Sequence, residues 1–227
     1  MITKLVLYAL LISGIALVAT SLFTSPPRKI IVPVTVIKPP LKKGIIRLSN
    51  SIDGTYCSGV VVSPFNAITA AHCVTANDGS LYFPRVETHD MTGKDDAVLS
   101  IVAAVFADRD VAILKGDFSA FLPMKIATEG QLAPYKSDMQ AMFSCGYPFG
   151  MPLLCMPVRY RTVKAETPHM WRVSNTLMPA MSGGPTIIYD EFFGDRVVAI
   201  NTAYYSRLDQ SEVAPIYDII TVEQGVK

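Results

Sequence analysis

The sequence predicts an all-β domain, and three observations support that prediction. Short runs rich in β-branched, aromatic and other apolar residues recur along the chain from about residue 44 onward. Gly, Pro, Asn and Asp separate these runs, as such residues do between strands. Convincing long amphipathic helices are absent from this part of the sequence. Many short strands at this spacing favour a β-sandwich or a pair of barrels over an α/β fold.

Ten segments of the chain have the composition of β-strands. They are residues 44–49, 56–62, 67–69, 98–106, 111–114, 139–144, 153–163, 170–174, 185–189 and 197–203. One late helix is expected near residues 215–222, because Ile216, Ile219 and Ile220 fall on one helical face.

An apolar segment precedes this domain. Residues 5–23 carry no charge and consist largely of Leu, Ile, Val and Ala, which is long enough for a membrane-spanning helix. A cleaved signal peptide is the alternative, since Lys4 provides a minimal basic start and residues 19–21 are small. The apolar run is longer than that of most signal peptides and ends in no clear Ala-x-Ala site. We therefore expect residues 1–24 to be a membrane anchor, with secretion after signal cleavage as the alternative.

Residues 25–43 contain five prolines and predict an extended, semi-rigid linker that leads into a domain spanning 44–227. The linker also carries several basic residues, so the positive-inside rule alone places the domain in the cytoplasm. The cysteine pattern, described below, favours the opposite side of the membrane. We give more weight to the cysteines, because charges in a proline-rich linker are a weak guide to topology.

Composition excludes several classes of protein. The chain has 20 Lys+Arg against 19 Asp+Glu, a net charge of +1, and half of its residues are apolar. A disordered chain is less hydrophobic and more highly charged, and a broad nucleic-acid-binding surface needs excess positive charge. Three His and four Cys without a Cys-x-x-Cys pair form no metal-binding pattern. We therefore expect no nucleic-acid partner, no metal and no organic cofactor.

Three short segments carry candidate catalytic residues, in the order His, Asp, Ser. His72 lies in Thr-Ala-Ala-His-Cys, Asp110 precedes Val-Ala-Ile-Leu, and Ser182 begins Ser-Gly-Gly-Pro. A serine hydroxyl becomes a nucleophile at neutral pH only beside a base such as imidazole, and a carboxylate on the other ring nitrogen orients that base. The sequence predicts Ser182 as nucleophile, His72 as general base and then acid, and Asp110 as orienting carboxylate. Asp108 competes for the last role.

Small residues around Ser182 permit a tight turn whose backbone N–H groups point inward. We expect the N–H groups of Ala180 and Ser182 to bind the oxyanion of a tetrahedral intermediate. Gly183 and Gly184 allow close approach of the substrate and of neighbouring strands.

These segments resemble the chymotrypsin/trypsin superfamily of serine peptidases, whose His motif reads Thr-Ala-Ala-His-Cys and whose Ser motif ends in Ser-Gly-Gly-Pro. The finer resemblance is to the HtrA/DegP-like branch. It rests on Gly-Tyr-Pro-Phe-Gly at 146–150, Pro179 before the serine, Val-Ala-Ile-Asn-Thr-Ala at 198–203 and Ala-Pro-Ile at 214–216. The resemblance covers about residues 44–222.

The resemblance implies two packed six-stranded β-barrels with a short C-terminal helix, and a cleft between the barrels. The first barrel is then expected to supply His72 and Asp110, and the second Ser182. Three departures from the family pattern stand out. We expect no PDZ domain after the protease domain, Met181 stands where digestive proteases have an aspartate, and Ala180 replaces a glycine. If that position needs a glycine-like backbone angle, the oxyanion hole is strained or unformed.

By the same resemblance, Thr176, Leu177 and Ala203 line the pocket for the substrate residue before the scissile bond (P1). None of the three is charged, so we expect a small or medium apolar P1 residue. The backbone of Thr202, Ala203 and Tyr204 is expected to pair with the substrate as an added β-strand.

The cysteines also follow the resemblance. Cys57 and Cys73 match the disulfide that staples the His loop in secreted trypsin-like proteases. Cys145 and Cys155 flank the Gly-Tyr-Pro-Phe-Gly turn, where they either bridge a hairpin or stay as buried thiols. Disulfides favour periplasm, lumen or extracellular space.

The sequence therefore predicts a membrane-anchored or secreted serine endopeptidase that cleaves protein or peptide substrates through an acyl-enzyme on Ser182. Two alternatives remain. One is a catalytically silent protease-fold protein that binds peptides or a protein partner. The other is a narrow processing protease with one protein partner.

Overall fold

The computed structural model describes residues 42–49, 54–76, 79–81, 85–89, 95–137, 141–161, 169–174, 177–189, 194–205, 210–217 and 219. All of these belong to the compact unit Pro40–Lys227. The predicted anchor, most of the linker and Thr176 lie outside the described residues. Among the helices in the described part of the chain, none is both long enough and apolar enough to cross a membrane.

The N-terminal half of the domain is one sheet. Its strands, with one additional short pair, are β1 (Lys42–Lys43), β2 (Ile45–Ser49), β3 (Tyr56–Val61), β4 (Asn66–Ala70), β5 (Arg85–His89), β6 (Asp95–Leu99), β7 (Ile101–Phe106), β8 (Val111–Lys115) and β9 (Phe121–Leu122). Seven of them pair in the order β6-β5-β2-β3-β4-β8-β7, and β1 pairs with β9. All pairings in the seven-stranded sheet are antiparallel.

The C-terminal half contains the closed barrel. It consists of β10 (Lys125–Ile126), the helix α1 (Glu129–Ser137), β11 (Ala141–Gly146), β12 (Leu154–Arg161), β13 (Trp171–Ser174), β14 (Pro185–Ile188), β15 (Arg196–Tyr205) and β16 (Gln210–Pro215). The order is β10-β15-β14-β11-β12-β13-β16, and β15 also pairs with β16. This extra pairing closes six strands, β11 to β16, into a barrel.

The all-β prediction is confirmed, whereas the prediction of two six-stranded barrels is confirmed for one half only. The first sheet has seven strands, and no strand pairing among the described residues joins its two edges, β6 and β7. These edge strands are consecutive in the chain, separated only by Ser100. Since consecutive residues must be adjacent in space, the sheet curls until its edges meet at Ser100, and the chain itself joins them.

Two further elements differ from the sequence prediction. Helix α1 is not predicted, because only Leu132 and Tyr135 pack on the barrel core and the segment has almost no amphipathic pattern. In the segment 215–222, where a helix is expected, Pro215 ends β16, and Ile216 and Tyr217 are not helical. Of the rest of that segment, the described residues include Ile219 in a helical conformation.

Both cysteine pairs are disulfides. Cys57 bonds to Cys73, as predicted from the resemblance. Cys145 bonds to Cys155, and the two lie directly opposite each other on β11 and β12. The hairpin bridge is therefore confirmed, and the alternative of free buried thiols is wrong.

Candidate active site

His72 and Asp110 are brought together by one strand pairing. Strand β4 ends at Ala70, and β8 begins at Val111, directly opposite it. His72 follows β4 in a single 3-10 turn, and Asp110 immediately precedes β8. The backbone N–H of Ala71 also donates to the Asp110 carbonyl, at 3.0 Å. The antiparallel register therefore places both side chains at the same end of the sheet.

Both carboxylate oxygens of Asp110 bind His72. One accepts a hydrogen bond from the ring Nδ1 at 2.7 Å, and the other accepts one from the backbone N–H of His72 at 2.9 Å. A proton on Nδ1 leaves Nε2 as the acceptor, the nitrogen that a general base must present. Asp110 has φ +50°, a left-handed conformation that aspartate tolerates better than most residues.

Asp108, the competing carboxylate, points elsewhere. Its side chain is exposed, and its closest charged group is the Arg109 guanidinium at 3.9 Å. Asp110 alone of the two carboxylates contacts His72.

Ser182 lies in a turn that leads into β14. Its hydroxyl donates to the Thr202 carbonyl at 3.3 Å, and within the described part of the chain no hydrogen bond joins it to His72. Catalytic hydrogen bonds of this kind are often long before substrate binds. The two loops are nevertheless tied to the same strand, since the Ser58 N–H donates to the Ser182 carbonyl at 2.7 Å. Cys57, the residue before Ser58, is disulfide-bonded to the neighbour of His72.

Two peptide groups of the serine loop are held in place by hydrogen bonds to their carbonyls. The Pro179 carbonyl accepts from the Phe149 N–H at 2.9 Å, and the Met181 carbonyl accepts from the Gly184 N–H at 3.0 Å. In a planar trans peptide the N–H points opposite to the carbonyl. The N–H groups of Ala180 and Ser182 therefore point away from these contacts, and neither donates to any described residue.

The backbone of Ala180 is left-handed, with φ +69°. This conformation costs a residue with a Cβ about 1–2 kcal/mol relative to its favoured regions. Residue 180 does need the glycine-like backbone angle that the resemblance raised as a possibility, and the alanine adopts this angle. Its N–H lies opposite the bonded Pro179 carbonyl and donates to no described residue.

Asn201 is a buried polar residue that the motif analysis did not single out. Its Nδ2 donates to the carbonyls of Cys145 at 3.0 Å and Met181 at 3.3 Å, and its Oδ1 accepts from the Thr186 hydroxyl at 2.8 Å. It therefore ties the serine loop to β11. A polar residue in the middle of an otherwise apolar strand is the signal that would have indicated this role.

The predicted substrate-binding strand has one open side. Strand β15 pairs with β14 only as far as Ile200, whereas it pairs with β16 through Ala203 and Tyr204. Among the described residues, 202–204 thus have a strand on one side only. The Thr202 hydroxyl donates to the Glu212 carbonyl, and its own carbonyl accepts from Ser182.

A buried ion pair lies behind this strand. Arg172 and Glu212 are opposite each other on β13 and β16, and their charged atoms are 3.7 Å apart with side chains 7% and 1% exposed. Leu177, one of the predicted pocket residues, is also buried, and its N–H donates to the Ser211 hydroxyl. Sequence patterns did not indicate the ion pair, because Glu212 lies outside the predicted strands, where a charged side chain usually faces solvent.

The side chains of Cys57, His72 and Cys73 lie within 4.8 Å of one another. Both sulfur atoms belong to the disulfide. They are therefore not available as thiolate ligands.

The family of the chain follows from comparison with known sequences. The profile of the trypsin-like peptidase domain matches residues 57–200. This stretch is more than half of the chain, so the chain belongs to the trypsin-like peptidase family and is a serine protease of that class. The superfamily predicted from the His and Ser motifs is confirmed. None of the curated protein sequences compared with the chain matches it.

Solved structures show the same fold. The protease Rv3671c from M. tuberculosis in its active form superposes with a TM-score of 0.62 at 19% identity, over 80% of this chain and 79% of that chain. Its inactive form gives a TM-score of 0.59 at 18% identity, over 82% of this chain and 91% of that chain.

Proposed function

We propose that the protein is a serine endopeptidase that cleaves peptide bonds through an acyl-enzyme formed on Ser182. The observation that carries the proposal is the serine loop, which presents the Ser182 hydroxyl together with two N–H groups that no described residue accepts from. His72 supplies the base, and the Asp110 carboxylate, 2.7 Å from its Nδ1, favours the tautomer that leaves Nε2 as the acceptor. The His72 loop is tied to the serine loop through Cys57 and Ser58.

The chemical steps follow from these groups. The Ser182 oxygen attacks the carbonyl carbon of the scissile bond, and its proton passes to Nε2 of His72. Asp110 stabilises the resulting imidazolium, and the N–H groups of Ala180 and Ser182 bind the oxyanion. Collapse of the tetrahedral intermediate expels the amine, which takes the proton from His72. Water, deprotonated by His72, then releases the acyl group in the same way.

The P1 preference is proposed to be a small or medium apolar residue. Leu177 and Ala203 carry no charge, and the nearby Glu212 carboxylate is paired with Arg172 instead of facing a substrate cation. The open side of β15 at residues 202–204 supports binding of the substrate as an added strand. Cleavage of a mixed peptide library tests this, and a consistent preference for Lys, Arg, Asp or Glu at P1 would contradict it.

The two disulfides support a location of the protease domain in an oxidising compartment instead of the reducing cytosol. We propose that residues 1–24 anchor it to a membrane through the linker 25–43. Alkylation of intact cells with membrane-impermeant and permeant thiol reagents tests the orientation. Cysteines that are reduced and reached only by the permeant reagent would show a cytoplasmic domain and contradict the proposal.

The activity is tested with a fluorophosphonate probe, which reacts with activated serines. We expect the folded wild-type chain to be labelled and the Ser182→Ala variant not to be labelled. Absence of Ser182-dependent labelling would favour the silent, peptide-binding alternative. Melting curves of both proteins establish that the comparison is between folded chains.

A further inference from the structure

The peptide group between Pro179 and Ala180 is held in an orientation that is unfavourable for an alanine. Rotating this peptide by half a turn would bring φ of Ala180 from +69° to a negative value, which alanine prefers. The same rotation would turn the Ala180 N–H away and put a carbonyl in its place. The flip is opposed by the Phe149 N–H, which donates to the Pro179 carbonyl at 2.9 Å. The orientation of the Ala180 N–H in the serine loop therefore depends on the position of Phe149.

Phe149 belongs to a turn, residues 147–150, that needs support of its own. Phe149 and Gly150 both have positive φ, +53° and +72°. The Phe149 side chain is 60% exposed, so core packing does not fix it. Since a left-handed phenylalanine is itself unfavourable, the turn must be held by contacts at its two ends.

Ser58 holds the first end of the turn. Its hydroxyl is fully buried, accepts from the Tyr147 N–H at 2.9 Å and donates to the Ala180 carbonyl at 2.8 Å. The direction of both hydrogen bonds is fixed, because the Tyr147 N–H can only donate and the Ser58 hydroxyl has a single proton to give to the Ala180 carbonyl. Ser58 therefore links the turn directly to the serine loop.

Arg47 holds the other end. Its Nη1 donates to the Gly150 carbonyl at 3.0 Å, and its guanidinium stacks over the Tyr56 ring at 5.0 Å. The same ring packs on Gly150, where a Cβ would lie 3.1 Å from it. Arg47 is buried on β2, so its donor position is set by the sheet.

We propose that residues 147–150 form a clamp that keeps the oxyanion hole formed, with Ser58 and Arg47 as its positioning residues. Neither side chain touches the reacting atoms. Ser58 acts through the Tyr147 N–H and the Ala180 carbonyl, and Arg47 acts through the Gly150 carbonyl. The proposal rests on the proposed serine peptidase function. It explains how this chain keeps an alanine at a position that requires a left-handed backbone.

The test measures the rate constant of fluorophosphonate labelling in the full-length chain across pH. Ser58→Ala and Arg47→Lys are each expected to lower the plateau rate about 10- to 100-fold, less than the 10²- to 10³-fold loss on removing a donor outright. The pH midpoint is expected to stay at the wild-type value, because neither residue contacts the His72–Asp110 pair. Ser63→Ala is the matched control, since it removes a serine hydroxyl that accepts backbone N–H groups within the turn between β3 and β4 and, among the described residues, has no hydrogen bond to the clamp or the serine loop.

Ala180→Gly supplies the decisive second measurement. Glycine adopts a left-handed φ at no steric cost, so the clamp matters less when residue 180 is glycine. We expect Ser58→Ala to slow labelling only a few-fold in the Ala180→Gly background. If the Ser58→Ala single variant does not fold, Arg47→Lys measured in the two backgrounds gives the same comparison.

Several results would overturn the clamp. These are wild-type labelling by folded Ser58→Ala, an equal loss in the alanine and glycine backgrounds, a shifted pH midpoint, or an equal loss in Ser63→Ala. Failure of the proposed function is seen separately, as absence of Ser182-dependent labelling in the wild-type chain, and it would overturn the clamp with it.

Discussion

Gly183, the residue after Ser182, offers a direct test of how the serine loop is packed. Its φ is +81°, and a Cβ added there would overlap the Thr69 hydroxyl and the Ser58 carbonyl and lie 2.9 Å from the Ala70 N–H. Its own N–H donates to the Asn201 carbonyl at 2.7 Å. The crowding atoms belong to β3 and β4, so they cannot move without disturbing the sheet. Gly183→Ala must therefore strain the loop, the sheet or both.

Comparison with Gly79 separates the conformational cost of Gly183→Ala from its steric cost. Gly79 has nearly the same φ, +80°, but among the described residues no atom lies within 4 Å of an added Cβ. Gly79→Ala should therefore show the conformational cost alone, about 1–2 kcal/mol. Gly183→Ala adds the steric cost of overpacking, about 1–3 kcal/mol. For a domain of this size each kcal/mol shifts Tm by roughly 2–4 °C, which predicts losses of about 2–8 °C and about 4–20 °C.

The measurement is thermal unfolding followed by circular dichroism under conditions that keep the disulfides intact, with fluorophosphonate labelling in parallel. Gly183→Ala is expected to lose more stability than Gly79→Ala and to lose labelling as well, whereas Gly79→Ala keeps wild-type labelling. Equal Tm losses in the two variants would refute the reasoning, since they would show that Gly183 is not crowded by Ser58 and Thr69.

Two further outcomes follow from the site and the core. Asp110→Asn should lower the turnover of a peptide substrate by about 10³- to 10⁴-fold, because an amide cannot hold His72 in the required tautomer. Asp108→Asn should leave it unchanged, and a comparable loss in both variants would reassign the orienting carboxylate. Burial raises the pKa of the Tyr147 phenol above the ordinary 10.0, partly offset by the charge of Arg47. The folded state then holds this proton more tightly than the unfolded state, so wild-type stability should fall as pH rises above about 10. Urea unfolding at pH 9 to 11 should show a smaller decline in Tyr147→Phe, although this variant starts about 1 kcal/mol lower through loss of the bond to the Ile45 carbonyl. Parallel declines in the two proteins would contradict the shifted pKa.

The fold class was predictable because it rests on local patterns. Strands such as Val111–Lys115 and Pro185–Ile188 are apolar runs bounded by turn residues, which short-range sequence reading detects. Gln210–Pro215 was not detected, because Ser211 and Glu212 interrupt the apolar run. The structure buries both, since the Ser211 hydroxyl accepts from Leu177 and the Glu212 carboxylate pairs with Arg172. Those partners belong to other parts of the chain.

The candidate catalytic residues were predictable for a different reason, namely that nucleophile, base and carboxylate are defined by side-chain chemistry. The sequence favoured Asp110 as the orienting carboxylate and kept Asp108 as a competitor. The contact with His72 depends on the register that sets Ala70 opposite Val111. A shift of one residue in that pairing would move Asp110 away from His72, and the register of a pairing cannot be read from one strand alone.

The sequence by itself determined the all-β class, the peptidase family, and the identity of the serine, histidine and cysteine residues. These are properties of side chains and of short motifs. Only the tertiary structure decided that the first sheet joins its edges through the chain. It also decided that Ala180 adopts a left-handed backbone whose N–H donates to no described residue. The groups that hold the serine loop come from distant segments, since Ser58 is 122 residues from Ala180 and 89 from Tyr147. A backbone conformation of this kind is set by the hydrogen-bond partners that folding brings together, and no local pattern encodes them.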